Sequence, residues 1–443
     1  MHGITYYDLR QVTGSVTHID IDNGRVESCG TAFFNKAVLR VLVTSGWGVL
    51  QIDNYTPCRG EKFNELLRQA ARLARITDEV VRLGDAPRRI LPIPPQKEDP
   101  RDVDIEEKSR LLGEIEAAVV REGIINRRAN YIEKDELVRF SDSSGTEYEY
   151  RMGRSGFNVL AVASRNGNVQ MGYEREHSIH GFNLRHQQDC GRKAAETAVS
   201  LLDAIIPKGG KMQVVLDPEL AGVFAHEAVG HASEGDLIQE GNSVLKGRIG
   251  ERIGSDTLTI VDDPALHEFG FDPVDAEGIA VQRTEIVKNG VINAFLHNRE
   301  TLASVGNGCA GHARGMAGEP PLVRMSNTFI EAGDATKAEI FAECKNGIYL
   351  VGSRGGQVDP GRGVFQFNAE YGYLVENGEC TTMVRDVSLS GDILSTLHQI
   401  SLCGNERRMS PGYCGKGGQS VPVSDGAPFI LLNNAVVGGS GVD

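Results

Sequence analysis

The segment 218–231 carries the residue types of a metal-dependent hydrolase in the pattern HExxxH. His226 and His231 offer two imidazoles, which are common zinc ligands in proteins. Glu227 directly follows the first histidine, where a carboxylate can take a proton from water whose pKa zinc lowers towards about 7. Two histidines alone would also be compatible with hydrogen-bonded core residues on a helix. The adjacent glutamate therefore favours a metal site.

The spacing of the histidines differs from the usual zinc-peptidase pattern of positions i and i+4. His226 and His231 are five residues apart, which on a regular α-helix turns their side chains roughly 140° away from each other. Imidazoles so placed cannot reach one ion at about 2.0–2.1 Å. The sequence therefore predicts a π-bulge, or a helix end near Gly230, where glycine makes local distortion inexpensive.

A catalytic zinc usually has three protein ligands and one open position, so two histidines leave the site incomplete. The candidates for the third ligand are Glu234, Asp236, His312 and a cysteine. Cys414 lies in a glycine-dense stretch, 411–419, which we expect to be a loop that lets the backbone approach a ligand closely. A thiolate suits zinc. Composition alone does not separate Cys414 from Cys309, and a free thiol in a flexible loop is an equally acceptable interpretation.

Several segments of the C-terminal half carry a resemblance to a known family. They are HEAVGHASEGD at 226–236, RMSNTFI at 324–330, GGQVD at 355–359, QISLCGN at 399–405 and CGKGGQSVPV at 414–423. With these segments the chain resembles the TldD/PmbA family, long described as modulators of DNA gyrase and understood as peptidases. The match is to its metal-bearing TldD branch.

The resemblance implies a zinc ion held by His226, His231 and Cys414, with Glu227 as the general base. It also implies cleavage of unfolded or flexible peptides in peptide maturation or protein turnover. A homodimer, or a heterodimer with a metal-free TldE/PmbA-type sister chain, is expected to enclose the site. The chain departs from the family pattern at 309–315, where CAGHARG replaces a more polar stretch, and this departure bears on substrate preference.

Two other functions are open at this point. A zinc-containing regulatory protein without catalysis, acting on a partner such as a topoisomerase, would have a closed site with Glu234 or Asp236 as fourth ligand. An amidase for small molecules would need the same zinc in a narrow pocket. For the peptidase, Lys416 and His312 are candidates to stabilise the oxyanion. Because extended peptides can add to an exposed strand edge, the stretch 355–359 is a candidate contact, although a structural turn fits it equally well.

The surrounding pattern predicts an α+β chain of two domains, 1–206 and 207–443, with antiparallel sheets flanked by helices and the HExxxH motif on a distorted helix of the second domain. Asn23-Gly24 between two apolar runs predicts a hairpin. Further strands are expected at 38–43, 47–52, 130–176 and 212–216. Helices are expected at about 60–76, 102–121, 187–205, 218–238 and 390–402, and an extended connection at 88–100.

The composition narrows the range of partners. The formal net charge of −14 disfavours nucleic acid and anionic membranes, both of which attract clustered Lys and Arg. No apolar run approaches the roughly 20 residues of a membrane span, and the N-terminus lacks the plan of a signal peptide. Eight cysteines without a CxxC pair are expected to be mostly buried free thiols in a cytoplasmic protein.

Overall fold

The computed structural model describes residues 3–44, 46–74 and 80–439, and its first part is a six-stranded antiparallel sheet. The strands are β1 (Ile4–Asp22), β2 (Arg25–Val43), β3 (Gly46–Asp53), β4 (Ile124–Asp142), β5 (Glu147–Arg165) and β6 (Asn168–Ser178), in the order β3-β2-β1-β4-β5-β6. The predicted hairpin at Asn23-Gly24 is confirmed. Both residues have positive φ, at 48° and 78°, as a two-residue hairpin turn requires.

Three helices accompany this sheet: α1 (Glu61–Arg72), α2 (Ile105–Ala117) and α3 (Gln188–Ser200). Each matches a predicted helix but is shorter than expected, and the last two residues predicted for the first, 75–76, lie outside the described residues. The buried faces of α2 and α3 pack on the sheet around Leu112, Ala194 and Phe157. The stretch 88–96 forms neither helix nor strand, as its prolines predict.

The C-terminal part contains many short strands and a few long ones. They are β7 (Gly210–Leu216), β8 (Ile260–Asp262), β9 (Thr284–Lys288), β10 (Val291–Ile292), β11 (Phe295–His297), β12 (Gly308–Ala310), β13 (Ala313–Arg314), β14 (Leu322–Val323), β15 (Asn327–Ile330), β16 (Asn346–Asp359), β17 (Val364–Glu376), β18 (Glu379–Val384), β19 (Ser388–Asp392), β20 (Ile400–Cys403), β21 (Arg408–Lys416), β22 (Gln419–Ala427) and β23 (Ile430–Gly438). The α+β class is confirmed.

Two sheets of this part enclose the helix that leads to the motif. One has the order β10-β9-β8-β15-β22-β21. In the other, the path β16-β7-β23-β19-β17 closes into a ring because β16 also pairs with β17.

The helices of this part are α4 (Pro218–Ala225), α5 (Gly235–Glu240), α6 (Arg299–Ser304), α7 (Lys337–Cys344) and α8 (Ile393–Leu397). The apolar side of α4 places Phe224 against Phe365 and Phe367 of β17.

Three expectations need correction. The predicted helix 218–238 is not continuous, because α4 ends at Ala225 and α5 starts only at Gly235. The late helix covers Ile393–Leu397 rather than 390–402, and Asp392 caps it by accepting from Ser395 N. The stretch 411–419 is not a loop: it belongs to the β21–β22 hairpin, with Gly417 and Gly418 at the turn. The domain division at 206–207 stays a prediction.

All eight cysteines are free, as expected, but only four of them are buried: Cys190, Cys344, Cys403 and Cys414. Cys29 and Cys380 are exposed, so the expectation of mostly buried thiols holds for half of them. In the described part of the chain, no helix is both long enough and apolar enough to cross a bilayer.

Candidate metal centre

The HExxxH motif directly follows α4 and begins with an irregular turn. Asp217 caps α4 by accepting from Leu220 N, and Pro218 occupies its first turn, where proline is well tolerated. From His226 to Gly230 the backbone is π-helical, and His231 N donates to His226 O, five residues back. A 3-10 turn, His231–Ser233, follows. The predicted irregularity is confirmed, and it lets residues five apart lie on one side of the helix.

The π-helical turn and the β21–β22 hairpin bring three potential metal ligands together. One ligand atom from each of His226, His231 and Cys414 lies within 4.8 Å of the others. The two rings have centroids 5.2 Å apart and are nearly perpendicular, at 86°. Cys414 Sγ lies 3.5 Å from His231 Nε2. Tetrahedral zinc, with bonds of about 2.3 Å to sulfur and 2.0–2.1 Å to nitrogen, separates such atoms by about 3.5 Å. The three residues therefore fit a zinc ion.

Each histidine has a carboxylate behind its Nδ1 atom. Asp425 Oδ1 of β22 lies 2.7 Å from His226 Nδ1, as a close ion-pair contact. Glu234 Oε2 lies 3.0 Å from His231 Nδ1. A carboxylate at Nδ1 orients the ring, fixes its tautomer and leaves Nε2 for a metal. Glu234, considered from the sequence as a third ligand, is therefore placed as an orienting group, and no pattern of residues pointed to Asp425.

Two cations, the partly buried Lys416 and the buried Arg324, hold the hairpin and the carboxylates in place. Lys416 Nζ donates to Glu234 Oε2 at 3.1 Å and to both oxygens of Asp236, at 2.8 and 2.7 Å. Arg324, fully buried, donates to the backbone carbonyl of Cys414 at 2.5 Å. Lys416 and Asp236 are thus engaged with each other rather than directed at the cluster. Arg324 lies in a segment used for the resemblance, but its type and spacing did not mark it as part of the site.

His312, another candidate ligand and oxyanion group, is not in the cluster. Its ring is fully buried between Thr284 and Asp262. Cys309 lies beside Thr284 and does not belong to the group formed by the two motif histidines. Of the two cysteines that composition left open, only Cys414 joins the histidines in the described part of the chain.

The electrostatic environment of the cluster favours a thiolate at Cys414 and raises the pKa of Glu227. Burial alone would raise the pKa of the Cys414 thiol, but the charges and hydrogen bonds of His226 and His231 lower it to about 5. Glu227 has its Oε2 atom 3.9 Å from His231 Nε2, and burial raises the pKa of its carboxyl group. Its side chain stays 28% exposed. Glu227 is therefore beside the cluster, reachable from solvent, and not one of the three grouped ligands.

Gly230 is required for space rather than for backbone freedom. Its φ and ψ, −57° and −59°, are those of an ordinary right-handed helix, so this turn does not require the backbone freedom of glycine. A Cβ atom at this position would lie 1.9 Å from Met325 Sδ, far inside contact distance. Met325, which lies between β14 and β15, thus packs directly against the π-helical turn.

Replacing Gly230 with alanine is expected to destabilise the fold by about 1–3 kcal/mol, the usual cost of overpacking. Urea unfolding measures this, and zinc content reports the effect on the cluster. The matched control is the same substitution made in a Met325→Ala background. There, the added methyl group meets no sulfur and should cost little, so the two changes are strongly non-additive. Equal costs of Gly230→Ala in both backgrounds would contradict the steric explanation.

Family models match the chain in three consecutive segments. The models describe domain 1, the central domain and the C-terminal domain of the PmbA/TldA metallopeptidases, and they match residues 7–74, 98–202 and 209–439. The third match contains the π-helical turn and the Cys414 hairpin. The cluster described above thus lies in the part of the chain that resembles the C-terminal domain of these metallopeptidases.

Similar proteins extend over nearly the whole chain. A metalloprotease of Archaeoglobus fulgidus is 39% identical over 98% of this chain and 100% of its own length. A metalloprotease of Methanothermobacter thermautotrophicus is 37% identical over 99% of this chain and 96% of its own. A zinc metalloprotease TldD homologue of Saccharolobus solfataricus is 38% identical over 54% of each chain.

Two solved structures share the fold at low sequence identity. A Thermotoga maritima protein, named as a candidate modulator of DNA gyrase, superposes with a TM-score of 0.81 at 21% identity and covers 98% of this chain and 96% of its own. TldE from Thermococcus kodakarensis superposes with a TM-score of 0.78 at 17% identity and covers 98% of this chain and 97% of its own. At these identities the likeness supports the fold alone.

Proposed function

The chain belongs to the PmbA/TldD metallopeptidase family, and from this premise we propose that it is a zinc-dependent peptidase for unfolded or flexible peptides. One observation carries the proposal: His226, His231 and Cys414 converge, while Glu227 stands beside them without joining them. Three ligands with a free position and an adjacent carboxylate suit a catalytic zinc better than a structural one.

Zinc is the metal that this donor set favours. Two imidazoles and a thiolate are borderline and soft ligands, whereas Mg²⁺ and Ca²⁺ take oxygen ligands. When bound, zinc would polarise the peptide carbonyl and lower the pKa of a water molecule towards about 7. Asp425 and Glu234 hold the imidazoles for this purpose, since each contacts the Nδ1 atom opposite the ligating nitrogen.

Among the residues of this chain, Glu227 is the one that transfers the proton. Its carboxylate takes the proton of the attacking water and gives it to the leaving amine nitrogen as the peptide bond breaks. The partly exposed position of the side chain allows this exchange. Burial raises the pKa of the Glu227 carboxyl group, and a raised value makes the protonated form a more accessible intermediate between the two transfers.

We propose that the substrate lies extended along β21. This strand ends its sheet, and in the described part of the chain its outer side pairs with no other strand. Cys414 is on the strand itself, so a peptide added there would run past the metal centre. Arg175 donates to the carbonyl of Pro411 at 2.9 Å and Arg324 donates to that of Cys414 at 2.5 Å, so these two carbonyls of β21 are already hydrogen-bonded. The stretch 355–359, expected from the sequence as a contact, lies in β16 and stays a second candidate.

Backbone pairing makes a specific prediction for substrates. In an unstructured peptide, N-methylation of alternate amide groups on the side that faces β21 should raise KM by about tenfold or more for each lost hydrogen bond to a partner left unpaired. Methylation of the intervening amides, which face away, is the matched control and should change KM little. Steady-state cleavage of the two methylated series measures the difference. Equal effects of both series would contradict strand addition.

A zinc-containing regulator without catalysis was the main rival. It needed Glu234 or Asp236 as a fourth ligand that closes the site. Instead, Glu234 contacts His231 Nδ1 and Asp236 contacts Lys416, so no observation favours that function. An amidase with a narrow pocket would cleave small molecules but not flexible peptides longer than a few residues. The length of the cleaved substrates therefore distinguishes it from the peptidase.

We further propose a cytoplasmic protein that acts in peptide maturation or protein turnover, as a dimer with a second copy or with a metal-free TldE/PmbA-type sister chain. The first half of β2, residues 25–35, is a candidate surface for the partner subunit. Phe33 is 83% exposed there, and these residues pair with β1 but not with β3. Neither nucleic acid nor membrane is proposed as a partner.

A further inference from the structure

A second group of reactive side chains lies apart from the metal centre, and we call it the Cys309 cluster: Cys309, Thr284, His312 and Asp262. Thr284 Oγ1 lies 3.0 Å from Cys309 Sγ and 2.9 Å from His312 Nε2. His312 Nδ1 lies 3.2 Å from Asp262 Oδ2. The order thiol, hydroxyl, imidazole, carboxylate connects a nucleophile to a base that a third group orients, the arrangement that activates nucleophiles in enzymes.

The carboxylate end of the cluster is fixed by the fold. Asp262 is fully buried and accepts from Ser326 N at 2.8 Å, Ser326 Oγ at 2.7 Å and Thr328 Oγ1 at 2.8 Å. Burial would raise the pKa of Asp262, but its contacts with His312 and these donors lower it. A buried anion with three donors stays ionised, so it stabilises a proton on His312 Nδ1 and a positive charge on the ring.

The imidazole passes this effect to the thiol. Burial would lower the pKa of His312, but Asp262 and Cys309 raise it to about 9. Burial would likewise raise the pKa of Cys309, but His312 and Thr284 lower it. With the ring protonated, His312 Nε2 donates to Thr284 Oγ1, and the Thr284 hydroxyl donates to the sulfur. This chain of donors stabilises a thiolate, which is the reactive form of cysteine.

Only the thiol end of the cluster reaches solvent. His312 and Asp262 are fully buried, whereas Cys309 is half-buried on the short edge strand β12. Cys309 and Thr284 line an open depression of about 400 Å³, together with Asn293 and Gly308 among others. A small molecule can therefore approach the sulfur, while the depression is too shallow to enclose a large ligand.

We propose that Cys309 is a thiol-modification site that forms mixed disulfides with small aliphatic disulfides. The Cys309 thiolate attacks one sulfur of R–S–S–R, the R–S–S–R bond breaks, and a Cys309–S–S–R bond forms. The second sulfur leaves as RS⁻ with the bonding electron pair and takes a proton from solvent. Cys309 is oxidised from thiol to disulfide, and the departing group is reduced to a thiol, so electrons balance between the two reactants.

The test uses the zinc-loaded full chain with oxidised glutathione as the probe. The reaction is stopped at intervals by alkylation, and peptide mass spectrometry gives the rate of mixed-disulfide formation at each cysteine. Cys29, which is exposed, is the internal reference. Cys309 should react at least about tenfold faster than Cys29, because the hydrogen bonds from His312 through Thr284 stabilise the reactive thiolate of Cys309. Zinc bound at Cys414 keeps that second thiolate out of the comparison.

Two variants separate activation from simple exposure. His312→Gln and Thr284→Val should each lower the rate at Cys309 to within about threefold of the rate at Cys29, while the rate at Cys29 itself stays unchanged. Unchanged zinc content and circular dichroism show that each variant is folded. If His312→Gln does not fold, Thr284→Val and the unmodified chain decide. The proposal is overturned if Cys309 reacts no faster than Cys29, or if a folded variant keeps the fast rate.

Discussion

Replacing Glu227 with glutamine is expected to lower kcat for peptide cleavage by about 100- to 10,000-fold, the range that positioned acid–base groups contribute. The carboxamide has nearly the same size and shape but cannot accept the proton of water. Because Glu227 is not among the grouped ligands, the variant should still bind one zinc per chain. The measurement is the rate of cleavage of an unstructured peptide, with zinc content determined on the same sample.

A matched control is Glu240→Gln, which makes the same chemical change at an exposed position at the end of α5. This variant should cleave the peptide at the rate of the unmodified chain. If Glu227→Gln keeps most of its activity, Glu227 is not the base. If the variant loses zinc instead, the carboxylate acts on the metal rather than on water. Either result would contradict the role given to it here.

The second large effect is expected from Cys414→Ala. This change removes the thiolate and leaves the two imidazoles, which offer only two of the usual three protein ligands. Changes to groups behind a ligand already cost about 10- to 100-fold in metal affinity, so the loss of a ligand should cost more. We expect the purified variant to contain little zinc and to cleave no peptide. Zinc titration against a competing chelator gives the affinity.

Cys309→Ala is the control that separates the two cysteines, because Cys309 lies beside Thr284 and not beside the motif histidines. It should retain one zinc per chain and full cleavage activity. The reverse pattern, with zinc kept by Cys414→Ala and lost by Cys309→Ala, would show that the metal lies elsewhere in the chain.

Residue types and spacing predicted the two histidine ligands and the irregular helix that carries them, but not which residues surround them. The five-residue separation of His226 and His231 was enough to predict an irregular helix, since a regular one cannot aim both rings at one ion. Spacing could not choose Cys414 over Cys309, because Cys414 comes next to His231, 183 residues earlier in the chain, only through the packing of α4 against the β21–β22 hairpin. The resemblance to the family supplied that choice.

The orienting groups were beyond a reading of local patterns. Asp425 reaches His226 across the close contact between Gly222 of α4 and Gly426 of β22, where a Cβ on Gly222 would lie 2.7 Å from Gly426 N. The periodicity of a sequence cannot predict such a contact between distant segments. The glycines of 411–419 suggested a loop because glycine weakens strands in general, whereas here Gly417 and Gly418 simply form the turn of a hairpin.

The most direct test of the catalytic metal centre is removal and return of the metal. The purified chain is assayed on an unstructured peptide as isolated, after a chelator has removed its metal, and after addition of one equivalent of zinc. Cleavage should disappear with the zinc and return in proportion to the zinc bound by His226, His231 and Cys414. Peptide cleavage that persists in the metal-free chain, or that is absent from the fully loaded chain, would contradict the account.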